Sequence, residues 1–176
     1  MYESSLRYAD ERDKSYGIAG MTITLVACDG EESLAEIHLD AEPGECMVMS
    51  HAFGLKGNPR MSAKIVWHQT LNDLRLSASM ALGNIVCRRY ILGGRGLSPS
   101  DTAQLRSAVL ADAAEYCSLD EDESGRLFDS CLGYVDRIFR QRAVAGVVEA
   151  FAEQLTHRRS MTASEAIELL AGLGVR

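Results

Sequence analysis

Residues 62–92 read SAKIVWHQTLNDLRLSASMALGNIVCRRYIL and carry the most extended helical pattern of the chain. They contain no proline, and their apolar residues recur at steps of three, four and seven, which places them on one face of a helix. The residues on that face are Trp67, Leu71, Leu74, Ala78, Leu82, Ile85 and Leu92. Glycines follow at residues 93, 94 and 96, and glycine is common just past a helix end. The pattern therefore predicts one long helix that ends near residue 92.

After the long helix, the sequence contains start signals that predict further helices. Residues 98–101, Ser-Pro-Ser-Asp, combine a side-chain cap, a proline that needs no amide partner and a carboxylate at the positive end of the helix dipole. Residues 118–121 and 162–165 both have the spacing of a capping box. The apolar stripe shifts its phase beyond residue 140, which predicts either a bend near Gln141 or a slowly rotating contact face. With the long helix included, four to five helices are expected in the C-terminal two-thirds of the chain.

Three short apolar segments upstream of the long helix predict β-strands. Met21–Cys28 alternates apolar residues with threonines, Leu34–Leu39 alternates Glu36 and His38 with apolar residues, and Cys46–Met49 is a short apolar run. Turn residues separate the three segments. They predict a small antiparallel meander, which needs helices over one face to be stable. Short apolar runs are nevertheless ambiguous between a strand and a buried helix.

These patterns together predict an α+β fold. A small antiparallel β-meander near the N-terminus is followed by a mainly α-helical C-terminal two-thirds. A chain of 176 residues suits one hydrophobic core, so we expect a single domain over residues 1–176. Its expected parts are an N-terminal arm at 1–16, the β-meander at 17–60 and the helical part at 61–176.

Composition and charge restrict the expected cellular compartment of the protein and the classes of partner it can bind. Lys and Arg total 18 against 25 Asp and Glu, and the net charge of -7 disfavours nucleic acid and anionic membranes. The sequence has no apolar run long enough to span a membrane and no secretory signal pattern. Five scattered cysteines without a C-x-x-C pair are typical of reduced thiols. We therefore expect a cytoplasmic protein.

Two groups of residues resemble metal sites, and neither pattern is complete. Asp120–Ser124 matches the first oxygen ligands of a calcium loop, but Cys131 stands where the bidentate glutamate is required. The alternative is an acidic helix start. A zinc site could draw on Cys28, His38, Cys46 and His51. They lack the closely spaced ligand pair that zinc sites usually have, and buried thiols with partly exposed histidines are the alternative. No metal or other cofactor is predicted.

The sequence also lacks the local signatures of common enzymes. It contains no nucleophile elbow, no phosphate-binding P-loop and no H-E-x-x-H zinc motif. Cys46 with His51, or Cys87 with His68, could form a thiol–imidazole pair, but no signature surrounds either cysteine. The glycine-rich residues 93–96 could hold an anion, although the end of a helix is the simpler explanation. The sequence therefore favours a protein without catalytic activity.

One pocket is predicted between the meander and the first long helix. Its candidate ligand-binding residues are Cys46, His51, Trp67 and His68, with methionines and Phe53 nearby. The alternative is that these side chains simply form part of the core.

Three functional hypotheses follow. The first is a non-catalytic interaction or regulatory module that binds itself as a homo-oligomer or binds another protein. The second is a small-molecule-binding protein or an enzyme that uses the predicted pocket. The third is nucleic-acid binding, which would require six arginines on one face. They are Arg88, Arg89, Arg95, Arg137, Arg140 and Arg142.

Overall fold

The computed structural model describes residues 7–50 and 63–175, which form six α-helices and three short β-strands. The helices are α1 (Glu11–Ala27), α2 (Ala63–Cys87), α3 (Pro99–Cys117), α4 (Glu121–Phe139), α5 (Arg142–Arg158) and α6 (Ala163–Gly172). The strands are β1 (Leu34–His38), β2 (Met47–Met49) and β3 (Ser160–Thr162). A π-helical turn, Arg88–Leu92, extends α2. The predicted α+β class, mostly helical with a small antiparallel sheet, is confirmed.

The sheet contains two of the three strands predicted for it. β1 and β2 coincide with the second and third predicted segments, and they pair antiparallel. The third strand comes from the other end of the chain, where β3 pairs with β1 to give the order β2-β1-β3. Ile37 thus lies between Met47 on one side and Met161 on the other. The sheet connects the N-terminal part of the chain to the segment before α6.

The strand predicted at Met21–Cys28 is wrong, because these residues lie in α1 and in its C-cap. Apolar and polar faces do not separate along this helix, since almost every residue from Ser15 to Val26 is buried. A helix that is buried on all sides lacks the period of an amphipathic helix. The hydroxyls of Thr22 and Thr24 donate to the carbonyls of Ile18 and Gly20, at 2.9 and 2.8 Å, so they are satisfied within the helix. α1 begins at Glu11, so residues 11–16 of the predicted arm are its first turns.

α1 packs closely against α2 at a pair of glycines. A Cβ atom on Gly20 would lie 2.4 Å from the carbonyl oxygen of Gly83 and 2.5 Å from the Cβ of Cys87. A Cβ atom on Gly83 would lie 2.1 Å from the hydroxyl oxygen of Thr24. Both distances are far below van der Waals contact, so glycine at these two positions permits the helices to approach. This crossing lies at the centre of the fold.

The predicted helix starts are confirmed with one exception. Ser98 caps α3 and Thr162 caps α6, each in a capping box with the residue three positions on. α4 begins two residues later than the predicted box at 118–121, because Asp120 is its cap and Glu123 the reciprocal partner. Ser118 instead ends α3 in the left-handed conformation, with φ of 54°. Of the two alternatives for the shifted apolar stripe, the structure shows a break between two helices, since Gln141 separates α4 from α5.

The apolar stripe of α2 is buried in its middle and exposed at its beginning. Its buried members are Leu74, Ala78, Leu82 and Ile85, which belong to the core where α1 and α4 pack against α2. Trp67, at the beginning of the stripe, is exposed. In the described ranges, no helix combines the length and the apolar character that crossing a membrane would require.

Candidate functional site

The four candidate residues from the sequence lie in two separate places. Cys46 immediately precedes β2 and is buried. Trp67 and His68 lie near the start of α2, where both are exposed and their rings meet edge to face with centroids 5.2 Å apart. His51 and the neighbouring Phe53 lie outside the described residues. The structure therefore brings Trp67 and His68 together and separates them from Cys46.

A pocket of about 190 Å³ lies between β2, α1 and α2. Cys46 is one of its walls, whereas Trp67 and His68 are not. Four methionines line it, and we call it the methionine pocket. They are Met21 on α1, Met47 and Met49 on β2, and Met80 on α2. The sequence associated Met47 and Met49 with this region. It gave no such signal for Met21, which was predicted to lie in a strand, or for Met80, which lies beside the main apolar stripe of α2.

Burial favours the protonated form of the Cys46 and Cys87 thiols. Burial raises the pKa of Cys46, although nearby Lys14 opposes this rise. The Cys46 thiol lies 3.6 and 3.4 Å from the carbonyl oxygens of Ala41 and Glu42 as a hydrogen-bond donor. Burial also raises the pKa of Cys87. Since the thiolate is the reactive form, neither cysteine is prepared to act as a nucleophile.

The first turns of α2 are largely exposed to solvent. Residues 64–69 are exposed except for the half-buried Val66. The indole N–H of Trp67 donates to the carbonyl of Cys117 at 3.4 Å, which brings the end of α3 alongside. Tyr116, the residue before Cys117, is 60% exposed. We call residues 64–69 together with Tyr116 the α2 tip.

Three of the candidate arginines border one cleft but have acidic partners or acidic neighbours. The guanidinium of Arg88 donates to Asp13, with 2.6 Å between Nε and Oδ1, and that of Arg89 donates to both oxygens of Asp101 at 3.1 Å. Both pairs line the cleft beside the glycine-rich loop that carries Arg95. The carboxylates compensate this positive charge, which weakens the electrostatic basis for binding a phosphate backbone.

Members of the two groups that resemble metal sites in the sequence make other contacts in the described structure. Asp120 and Glu123 exchange hydrogen bonds with each other's backbone amides at the start of α4, so Asp120–Ser124 belongs to a helix start. His38 is 2.9 Å from a carboxylate oxygen of Glu36 on the same strand. Within the described residues, no three histidine, cysteine or acidic side chains are grouped closely enough to hold an ion.

Comparison with known proteins adds no assignment to these sites. No family model matches the chain, and neither a curated protein nor a solved structure is significantly similar to it.

Proposed function

We propose that this protein is a non-catalytic interaction module that pairs with a second copy of itself through the α2 tip. The observation that carries the proposal is the exposure of large apolar side chains at this tip. Ile65 is 49% exposed, Trp67 43% and Tyr116 60%. In the described part of the chain, the other large hydrophobic residues with comparable exposure are Val48 and Tyr134.

The composition of the α2 tip is that of an interaction surface. Tryptophan and tyrosine are enriched among the residues that contribute most to binding between proteins. Ile65 and Trp67 are two residues apart, so they lie on nearly opposite sides of the helix start. A partner would therefore have to enclose the helix start to remove both side chains from water. Trp67 is already held against the end of α3 by its hydrogen bond, which reduces the entropy lost when the partner binds.

A second copy is the partner that requires the fewest assumptions. Most oligomers of a single chain are symmetric, and a two-fold axis uses the same patch on both subunits. The helical tip is suited to such pairing, because one helix end can lie alongside the same helix end of another copy. The non-catalytic part of the proposal is supported by the burial of Cys46 and Cys87, which raises the pKa of each thiol and disfavours the reactive thiolate.

Sedimentation equilibrium over a wide range of concentrations tests the proposal. The wild-type protein should form a dimer, and Trp67→Ser should weaken its association about tenfold or more, as expected for a central interface residue. Tyr116→Ser should act in the same direction. Circular dichroism of each variant establishes that it remains folded.

Val48→Ser is the matched control, because Val48 is 42% exposed on β2, outside the α2 tip. This variant should dimerise like the wild type. A wild-type protein that stays monomeric at every concentration would overturn the proposal. A dimer that is weakened by Val48→Ser and not by Trp67→Ser would also overturn it, because the interface would then involve the sheet.

A further inference from the structure

The methionine pocket is a second candidate site, separate from the α2 tip. Along α2, Met80 is thirteen residues from Trp67, which corresponds to about 20 Å of helix. The pocket opens between the two-helix crossing of α1 with α2 and the edge strand β2. Binding here would therefore leave the tip accessible.

The size of the pocket limits what it can hold. Its volume of about 190 Å³ exceeds that of the engineered apolar cavity of roughly 150 Å³ that stays dry and binds benzene. It thus accommodates one aromatic ring with a few further atoms. Met21, Met47 and Met49 are only half-buried around it, so these side chains surround the space without filling it.

The chemistry of the walls favours an uncharged ligand. Five sulfur-containing side chains contribute to them, namely the four methionines and Cys46. No charged side chain lines the pocket in the part of the chain that the structure describes. A charged ligand would lose its hydration here without gaining an opposite charge in contact with it. Thioether sulfur also contacts aromatic rings favourably.

A soft metal ion is less compatible with this environment than a neutral ring. Thioethers and thiolates can bind Cu(I), but the Cys46 thiol is engaged with the backbone carbonyls of Ala41 and Glu42. The Lys14 ammonium donates to the carbonyl of Ala41 at 2.5 Å, and the Cys46 thiol approaches the same oxygen. A cation bound beside Cys46 would be repelled by this ammonium group.

We infer that the methionine pocket binds a small, uncharged aromatic molecule, in which the ring lies among Met21, Met47, Met49 and Met80. The flexible methionine side chains adjust to the outline of the ring, as unbranched thioethers do at other adaptable binding surfaces. This inference does not depend on the proposed self-association.

Methionine-methyl NMR tests the inference directly. The full chain is labelled with ¹³C at its methionine methyl groups and titrated with indole, toluene and p-cresol. At least one of these probes should shift the resonances of the four pocket methionines in a saturable manner. The resonance of Met161 is the internal control, because this methionine is buried in the core and is not part of the pocket wall.

A substitution that fills the pocket provides the second measurement. Ala81 lines the pocket from α2, so Ala81→Leu should weaken probe binding at least tenfold while the protein stays folded. Ala114→Leu makes the same change at an exposed position of α3 and should leave binding unchanged. The inference is overturned if none of the three neutral probes shifts the pocket methionines, or if Ala81→Leu and Ala114→Leu bind equally well. Saturable binding of Ag(I) in place of the neutral probes would also overturn it and would identify a soft-metal site.

Discussion

Substitution of Gly20 by alanine should destabilise the protein, although alanine is the better helix former. Gly20 lies inside α1, where the α1–α2 crossing leaves no room for a side chain. The new methyl group would lie 2.4 Å from the carbonyl oxygen of Gly83 and 2.5 Å from the Cβ of Cys87. One of these atoms belongs to the backbone and the other is fixed to it, so neither can rotate aside. The two helices must separate, which disturbs the contact at the centre of the fold.

The size of this effect follows from two opposing terms. Replacing glycine by alanine in a helix favours folding by about 1 kcal/mol. Overpacking a dense core typically costs about 1–3 kcal/mol and sometimes more. Two contacts this short place Gly20→Ala at or beyond the upper end of that range, so we expect a net loss of about 2 kcal/mol. For a chain of this length, such a loss lowers the melting temperature by roughly 4–8 °C.

Gly133→Ala is the matched control for this prediction. Gly133 lies within α4, and among the described residues a Cβ atom added there meets no atom within 4 Å apart from its chain neighbours and the nearby backbone of its own helix. The helix-forming term then acts alone, and the variant should gain about 0.5–1 kcal/mol. Urea unfolding of both variants, followed by circular dichroism, measures the two free energies of unfolding. A Gly20→Ala variant as stable as the wild type would refute the close α1–α2 crossing.

Three further predictions concern single side chains. Asp13→Asn should destabilise the protein at neutral pH but progressively less in acid. Burial alone would raise the pKa of Asp13, yet hydrogen bonds from Arg88 and the Ala9 amide hold this pKa below its ordinary 3.8. The stabilisation by ionised Asp13 is fully present above the ordinary pKa and is lost as the pH falls through the lower pKa of the folded state. If the urea midpoints of wild type and Asp13→Asn differ by the same amount at about pH 7 and about pH 2.5, this prediction is contradicted. In a thermal melt, Asp120→Ala should cost about 1 kcal/mol of stability because it removes the cap of α4. Ser118→Gly should instead gain up to about 1 kcal/mol, since a φ of 54° suits glycine. A loss of stability in both variants would argue against this boundary between α3 and α4. Ser124→Ala should be neutral or stabilising in the same assay, because the buried Ser124 hydroxyl has no hydrogen-bond partner among the described residues. A loss above about 1 kcal/mol would indicate a missed partner.

The helical part of the chain was predictable because its signals are local. A cap such as Ser98 or Thr162 acts on amides within its own helix, so the residue types and their spacing are sufficient to identify it. The Asp120 cap was missed by two residues because Ser118 and Asp120 are both good cap residues with a glutamate three positions on. Local chemistry alone does not choose between two such starts.

The candidate sites were predictable only in part. The sequence identified Trp67 and Cys46 as unusual residues, and it associated the region between sheet and helix with a pocket. It could not show that Trp67 is exposed at the α2 tip while Cys46 lines the methionine pocket, because these positions depend on how the helices pack. Tyr116 gives no signal of its own in the sequence, because only the folded structure brings the indole of Trp67 to the carbonyl of the next residue, Cys117.

The sequence by itself determined the fold class, the long α2 helix and two of the three strands, because periodicity and capping are properties of neighbouring residues. Only the tertiary structure decided that Met21–Cys28 is helical and that β3 completes the sheet. Almost every residue of α1 from Ser15 to Val26 is buried, so the faces of the helix do not differ in polarity and its threonine pattern resembles that of a strand. The pairing of Ile37 with Met161 joins residues far apart in the chain. Such pairing depends on packing across the whole fold, and no local pattern encodes it.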